Sequence, residues 1–142
     1  MMYTIKIPGK PMAQGRPRFS RRGGIAVAYE KADTKSSKAH IQTMAFSQLP
    51  DDFQRIEGAI AVRIVAKFPC PKSKHRKREP LQAQWKSNGP DVDNIAKHYL
   101  DALLASGLLA DDDRQVASLL VVKVQAAQGE PPETIIEISP ME

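Results

Sequence analysis

The sequence predicts an α+β fold: a single compact domain with a small mixed β-sheet packed against two main helices. The chain has 142 residues, the size of one ordinary domain, and we assign one domain to residues 1–142. Residues 58–68 alternate between apolar and polar side chains, as a half-buried strand does. Two further segments between turn signals have the length and boundaries of helices. The predicted order of elements is β-β-α-β-α-β-β.

The N-terminal region is predicted to hold two short strands separated by a loop. Tyr3 to Ile7 alternates in polarity and ends at Pro8-Gly9. Residues 9–24 are rich in Gly, Pro and Arg, so we expect a mobile loop there. Ile25 to Tyr29 can form the second strand.

A helix and a long strand follow. Asp33 can cap a helix from Thr34 to Leu49, which Pro50 ends. Residues 58–68 form the clearest strand of the chain. Its apolar face carries Ile60, Val62, Ile64, Ala66 and Phe68.

The second half begins with a basic loop over residues 72–86. Asp91 to Ala105 reads as an amphipathic helix that Gly107 ends. Val116 to Val124 is apolar enough to predict a buried strand, and Ile135 to Ile138 a last short strand.

Composition excludes several classes of protein. One cysteine permits neither an intramolecular disulfide nor a multi-cysteine zinc site. The sequence has neither a long apolar run nor an apolar N-terminal signal segment. We therefore expect a cytoplasmic protein that does not associate with membranes.

Charge is divided unevenly along the chain. Residues 1–86 hold 18 Lys or Arg against 6 Asp or Glu, whereas residues 87–142 hold 3 against 10. A basic surface attracts a polyanion such as nucleic acid. Carboxylates beside it repel phosphates unless a divalent cation lies between them. The alternative is solvated charge that is segregated by accident.

Two acidic clusters are the candidate metal ligands. Asp91 and Asp93 lie at the start of the second helix, and Asp111–Asp113 lie before the strand that follows it. A helix, a short loop and a returning strand can bring these clusters together. Oxygen-rich clusters of this kind suit magnesium. In phosphodiester cleavage such an ion polarises the phosphoryl group and generates hydroxide near neutral pH.

Each acidic residue also has a structural interpretation. Asp91 and Asp93 could cap the helix and complement its dipole, and Asp-rich turns before strands are ordinary. Lys97 lies four residues from both Asp93 and Asp101, so it could form a helical salt bridge or face the scissile phosphate.

The remaining histidine, tyrosine, cysteine and tryptophan candidates are better explained by structural roles. We interpret His98 as a surface or structural histidine and Tyr99 as a core residue, and we assign Cys70 no catalytic role. Trp85 could stack on an exposed base, although a lone tryptophan more often anchors packing.

The run Gly89-Pro90-Asp91-Val92-Asp93-Asn94-Ile95-Ala96-Lys97 resembles the RusA family of Holliday junction resolvases. Asp101-Ala102-Leu103, Gly107 and Asp112-Asp113-Arg114-Gln115-Val116 continue the resemblance. The N-terminal Ile7-Pro8-Gly9-Lys10-Pro11 and Gly15-Arg16-Pro17-Arg18-Phe19 are similar to the opening of phage-type members. The resemblance therefore covers most of the chain and includes both ends.

The resemblance implies a homodimeric, magnesium-dependent endonuclease of DNA recombination and repair, with Mn²⁺ able to replace Mg²⁺. It implies paired symmetric nicks in four-way DNA junctions, with Asp91 and Asp93 as metal ligands and Lys97 as the catalytic lysine. The third acid is Asp113 if Arg114-Gln115-Val116 sets the register, and Asp112 if residues are counted from Gly107. Basic residues of the two loops would contact DNA: Lys10, Arg16, Arg18, Arg21, Arg22, Lys72, Lys74, Arg76, Lys77 and Arg78.

Two other functions are compatible with these residues. One is a nucleic-acid-binding protein without catalysis, descended from a prophage resolvase. The other is a magnesium nuclease for flaps, nicks or ordinary duplex DNA. A metabolic enzyme is disfavoured, because the chain has no Gly-rich nucleotide loop and no apparent nucleophile–base pair.

Overall fold

The computed structural model describes residues 1–15, 18–22, 25–29 and 32–142, and for 18–22 and 25–29 the backbone alone. The strands are β1 (Tyr3–Pro8), β2 (Arg18–Arg22), β3 (Ile25–Tyr29), β4 (Ile60–Phe68), β5 (Gln84–Trp85), β6 (Val116–Gln125) and β7 (Glu133–Pro140). The α-helices are α1 (Ala32–Gln48) and α2 (Val92–Leu100). No α-helix in these ranges is both long and apolar enough to cross a membrane.

The main sheet has five strands in the order β1-β7-β4-β6-β5. β4 and β6 run parallel, and every other neighbouring pair is antiparallel. The sheet is therefore mixed, and the predicted α+β class with two main helices is confirmed.

The core lies between one face of this sheet and the two helices. Alternate residues of β4 are buried, as its sequence pattern predicts. α1 contributes Ile41 and Ala45, and α2 contributes Ile95 and Tyr99. The Tyr99 hydroxyl is bonded to Thr134 Oγ1 (2.9 Å) and accepts a hydrogen bond from the Met12 backbone N–H (3.1 Å). These bonds satisfy a buried polar group and fix α2 against the sheet.

The expected loop over residues 9–24 is only partly correct. β2 lies within it and pairs with β3, which confirms the predicted strand over residues 25–29. The loop was predicted because Gly and Pro are frequent in this segment. The alternation in β2 is obscured by its three arginines.

Both helices differ slightly from their predicted limits. Asp33 lies inside the first turn of α1 instead of preceding it. The helix predicted from 91 to 105 divides into α2 and a π-helical turn, Asp101–Ala105, which buries Ala102, Leu103 and Leu104. A π turn rotates the chain within a helix, and no local sequence signal marks it. Gly107 has φ +80°, as expected for a residue that ends a helix.

β6 is a strand as predicted, but it is not buried. Leu119 and Leu120 are 43% and 52% exposed. β5, which was not predicted, pairs only with Val124 and Gln125. Along residues 116–122 the outer side of β6 therefore has no strand partner in the described ranges, and we call this stretch the free edge of β6.

Candidate active site

The start of α2 carries three charged side chains that project into solvent. Asp91 occupies the N-cap position, with φ −72° and ψ 146°, yet its side chain makes no capping hydrogen bond. Asp93 follows within the first turn and Lys97 one turn later, and all three residues are exposed. Asp93 and Lys97, four residues apart, lie on one side of α2, and Asp91 precedes the first turn.

None of these three side chains has a hydrogen bond or ion pair with any residue that the structure describes. Lys97 pairs with neither Asp93 nor Asp101, because Asp101 instead contacts Lys38 at 3.5 Å. The capping role of Asp91 and the helical salt bridge of Lys97 are therefore both absent. Two carboxylates and one ammonium remain available to a ligand.

The turn before Asp91 is held by a lysine from β6. Lys123 Nζ donates to the carbonyl oxygens of Asn88 (2.7 Å) and Pro90 (2.9 Å). Lys86 Nζ donates to Asn88 Oδ1 at 2.9 Å and lies 5.0 Å from the centre of the Phe68 ring. These contacts fix the backbone that leads into α2.

Two lysines, Lys86 and Lys123, contact this turn, and Lys10 and Lys74 lie near enough to act on Lys86. We call Lys10, Lys74, Lys86 and Lys123 the lysine cluster. Burial, together with the positive charges of Lys123, Lys74 and Lys10, lowers the pKa of Lys86. Lys86 and Lys123 were not among the DNA-binding residues proposed from the sequence. Lys86 ends the basic loop over residues 72–86 and Lys123 lies in β6, so the two are distant in sequence and only the fold brings them together.

The second acidic cluster forms a compact loop before β6. Asp112 caps a short 3₁₀ helix, Asp113–Gln115, by accepting a hydrogen bond from the Arg114 backbone N–H at 2.9 Å. It also accepts from the Arg114 guanidinium at 3.1 and 3.0 Å. The Arg114 N–H and guanidinium lower the pKa of Asp112 to about 2. Asp111 contacts Arg55 at 3.4 Å.

Asp113 is in a different environment from Asp112. Hydrogen bonding with the Asp112 carboxyl, then burial and the negative charges of Asp112 and Asp101, raise the pKa of Asp113. Both carboxylate oxygens of Asp112 are thus bonded to Arg114. Asp113 is a carboxylate crowded by like charge, which a cation would relieve.

Gln115 fastens this loop to the rest of the fold. Its Oε1 accepts hydrogen bonds from the backbone N–H groups of Asp111 (2.9 Å) and Asp112 (3.1 Å). Its Nε2 donates to the carbonyl oxygens of Ile56 (2.9 Å) and Gly58 (3.0 Å). In the sequence, Gln115 served only to align the chain with the family pattern. Its four hydrogen bonds give a structural reason for a glutamine at this position.

The two acidic clusters do not meet within one chain, contrary to the expectation from sequence. Asp93 and Asp101 are separated by eight residues, or about 12 Å of helix axis, and Asp113 lies close enough to Asp101 to feel its charge. Among the described residues, no three His, Cys, Asp or Glu side chains are placed to share a metal ion. Lys123, near the end of β6, contacts the turn before Asp91, whereas Asp113 precedes the start of β6, so most of this strand separates the two clusters.

The predicted DNA-binding residues divide into two groups. Six are exposed on the surface: Lys10, Lys72, Lys74, Arg76, Lys77 and Arg78. Arg16 lies outside the described residues, and for Arg18, Arg21 and Arg22 the structure describes only the backbone, in β2.

The remaining predictions concern single residues. His98 is fully buried and bonded to Ser37 Oγ at 2.8 Å, so it is structural, and Tyr99 is a core residue as predicted. Trp85 is 78% exposed and therefore does not anchor the core.

Comparison with known proteins assigns the chain to a family. The model of the family described as endodeoxyribonuclease RusA matches residues 8–139, a range that contains both acidic clusters and the lysine cluster. The chain is also 32% identical over 136 residues to the uncharacterized protein YqaN of Bacillus subtilis (strain 168), covering 92% of this chain and 93% of YqaN. This chain therefore belongs to the RusA endodeoxyribonuclease family.

Proposed function

We propose that this protein is a magnesium-dependent endonuclease that cuts four-way DNA junctions by paired, symmetric nicks. One observation carries the proposal: the start of α2 presents two carboxylates and an ammonium that have no partner among the described residues, beside lysines that pair with no acid of the described chain. Carboxylates can bind a cation while lysines bind phosphate. Membership of an endodeoxyribonuclease family supplies the class of reaction.

The donor set at the start of α2 fits magnesium. Mg²⁺ is usually held by one or two carboxylates, several waters and phosphate oxygens of the substrate. Asp91 and Asp93 would supply the carboxylates, since no group in the described part of the chain bonds to either of them. When bound, the ion polarises the phosphoryl group and lowers the pKa of a bound water.

Lys97 would stabilise charge that develops on the phosphate. Its ammonium lies one helical turn beyond Asp93 and is free of ion pairs within the described chain. Donors aimed at developing charge contribute most where no protein carboxylate neutralises them. The exposed basic residues of the two loops would hold the DNA backbone, which makes binding sensitive to salt.

We propose Asp113 as the third acid. The oxygens of Asp112 are engaged by Arg114, so Asp112 shapes the loop, whereas Asp113 gains by binding a cation. Within one chain Asp113 precedes the start of β6, whereas Asp91 follows a turn that Lys123 holds near the end of the same strand.

A second chain would supply the missing acid. The free edge of β6 exposes unpaired backbone, and residues 116–122 contain no charged side chain. Natural proteins protect such edges or use them to pair with another strand. We propose that two chains pair antiparallel along this edge to form a homodimer.

Antiparallel pairing places the beginning of one β6 opposite the end of the other. Asp113 precedes the strand, and Lys123, near the strand's end, holds the turn before Asp91. Each site would therefore combine Asp91 and Asp93 of one chain with Asp113 of the other. Two equivalent sites related by a two-fold axis match the approximate symmetry of a four-way junction.

Cleavage of a labelled four-way junction tests the function. With Mg²⁺ or Mn²⁺, the protein should nick two symmetric strands of the junction and leave a matched linear duplex intact. Asp91→Asn should abolish nicking but retain binding. Asp51→Asn, which changes an exposed acid in a distant turn, should behave like the unaltered protein.

Other outcomes contradict specific parts of the proposal. Equal cutting of the linear duplex would indicate a nuclease of broader specificity. Binding without cutting under every metal would indicate a non-catalytic junction-binding protein.

Sedimentation velocity tests the dimer. The protein should sediment at twice the 15.7 kDa chain mass, and Leu120→Lys should give a folded monomer because two like charges would face each other across the two-fold axis. Lys6→Gln, on the strand at the other edge of the sheet, should remain dimeric. A dimer that survives Leu120→Lys would place the interface elsewhere.

A further inference from the structure

The lysine cluster joins four residues that are distant in sequence. Lys10 follows β1, Lys74 lies in a 3₁₀ turn, Lys86 follows β5, and Lys123 lies near the end of β6. The charges of the other three lysines act on Lys86 strongly enough to contribute to its lowered pKa. Lys86 and Lys123 contact the turn that leads into Asp91, and Lys74 contacts Gln125, two residues from Lys123.

No carboxylate of the described chain neutralises this cluster. Lys123 and Lys86 donate to neutral oxygens of the turn, and Lys74 donates to Gln125 Oε1 at 3.4 Å. By contrast, Lys67 pairs with Glu130 at 2.7 Å and with Glu133 at 3.6 Å. Each ammonium has three donors, so the cluster keeps unused donors as well as uncompensated charge.

The central lysine is held in place before any ligand arrives. The ammonium of Lys86 is bonded to Asn88 Oδ1 and packed over the Phe68 ring, and its side chain is partly buried. A restrained cation loses less conformational entropy when it binds than a mobile surface lysine does. Lys86 therefore differs from the exposed lysines of the loop that precedes it.

We propose that the lysine cluster binds one backbone phosphate of the DNA strand, next to the phosphate that is cut. Lys74 and Lys86 would contact this flanking phosphate. Lys123 would act as a positioning residue, because it holds the Asn88 and Pro90 carbonyl groups of the turn that connects the flanking phosphate site to Asp91. This inference rests on the proposed function. The contact would align the phosphate that is cut with the carboxylates of Asp91 and Asp93.

Junction binding without divalent metal tests the cluster independently of cleavage. Lys86→Gln should make the slope of log affinity against log salt shallower by about 1, because one fewer counterion is released. Lys6→Gln is the matched control, since Lys6 is an exposed lysine on the far edge strand, and it should leave the slope unchanged. An unchanged slope for Lys86→Gln would overturn the proposal.

Neutral phosphate analogues locate the contact. Methylphosphonates are placed one at a time at the positions flanking the cut site, and binding is measured for the unaltered protein and for Lys86→Gln. One substitution should weaken binding by the unaltered protein and have no effect on Lys86→Gln, as a double-mutant cycle requires for a direct contact. Additive losses at every position would overturn the proposal.

Stability supplies a second readout. Removing one of several mutually repelling charges should leave the urea midpoint of Lys86→Gln unchanged or raise it at low salt. If that variant fails to fold, Lys74→Gln replaces it, because Lys74 is exposed and makes only the 3.4 Å contact with Gln125.

The cluster and the nuclease can fail separately. Tight, salt-dependent binding that weakens in Lys86→Gln, without cutting by the unaltered protein, would retain the phosphate site and reject the nuclease. Normal cutting by the unaltered protein together with an unchanged salt slope in Lys86→Gln would retain the nuclease and reject the phosphate site.

Discussion

Aspartates at the start of a helix usually stabilise it, either through a capping hydrogen bond or through the helix dipole. Asp91 has the backbone conformation of a cap without the side-chain bond. Its carboxylate is exposed, as is that of Asp93. No described residue bonds to this side chain, so its contribution to folding is limited to a solvent-screened interaction with the helix dipole.

We therefore expect Asp91→Ala to change the unfolding free energy by less than about 0.5 kcal/mol, while abolishing metal-dependent cleavage. Urea denaturation and the junction assay measure the two effects on the same protein. Loss of a working cap would instead cost about 1 kcal/mol, and a cost of that size would show that Asp91 caps α2 in solution. Asp51→Ala, in a distant exposed turn, is the control.

Asp112 has a definite pH signature. Its pKa of about 2 in the folded protein is below its ordinary value of 3.8, because Arg114 favours the ionised form. The resulting stabilisation is fully present above pH 3.8 and is lost as the pH falls towards 2. Arg114→Met should thus be less stable than the unaltered protein at pH 6, with the difference closing by about pH 2.

Urea midpoints across this pH range measure the effect. Arg78→Met removes an exposed arginine without an ion pair in the described part of the chain, and it should show no such trend. A difference for Arg114→Met that is independent of pH would contradict the assignment.

At the scale of elements, the acidic loop depends on one side chain. Gln115 donates twice and accepts twice, joining the loop to the segment before β4. Gln115→Ala should lower the unfolding free energy by about 2 kcal/mol, because partly buried donors and acceptors lose their partners. It should also slow cleavage by loosening Asp113.

Urea denaturation measures the first effect and single-turnover nicking the second. Gln82→Ala, an exposed glutamine, should change neither. A stability loss below about 0.5 kcal/mol would show that these bonds are replaced by water.

Elements whose boundaries are set locally could be predicted from sequence. β4 follows from its period of two, and α1 from its length and the proline that ends it. β5 could not be predicted, because a strand of two residues is too short to show alternating polarity. Its pairing with β6 depends on the tertiary fold. The exposure of β6 was also missed, since an apolar run predicts a strand without saying what covers it.

The site was partly predictable for the same reason. Asp91, Asp93 and Lys97 are close in sequence, so helical spacing alone relates them. Lys86 follows β5 and Lys123 lies in β6, and only the sheet brings them beside one turn.

A site that combines Asp91 and Asp93 of one chain with Asp113 of another can be tested by mixing two inactive variants. Asp91→Asn and Asp113→Asn should each be inactive alone. Mixed in equal amounts after unfolding and refolding together, they should regain about one quarter of the nicking sites, because half of the dimers then hold one intact site.

Nicking of the junction on one strand by the mixture measures this recovery. Asp91→Asn mixed with Asp93→Asn is the matched control and should stay inactive, since both acids belong to the same half of the site. Absence of recovery in the first mixture would mean that each site is built within one chain.

The free edge of β6 has a consequence for the cell. If catalysis requires a partner strand, the nicking rate at low protein concentration rises with the square of that concentration. Halving expression would then remove about three quarters of the activity by mass action. Under the proposed function, the chain would therefore have little nicking activity when it is scarce, and its activity would rise more steeply than its concentration.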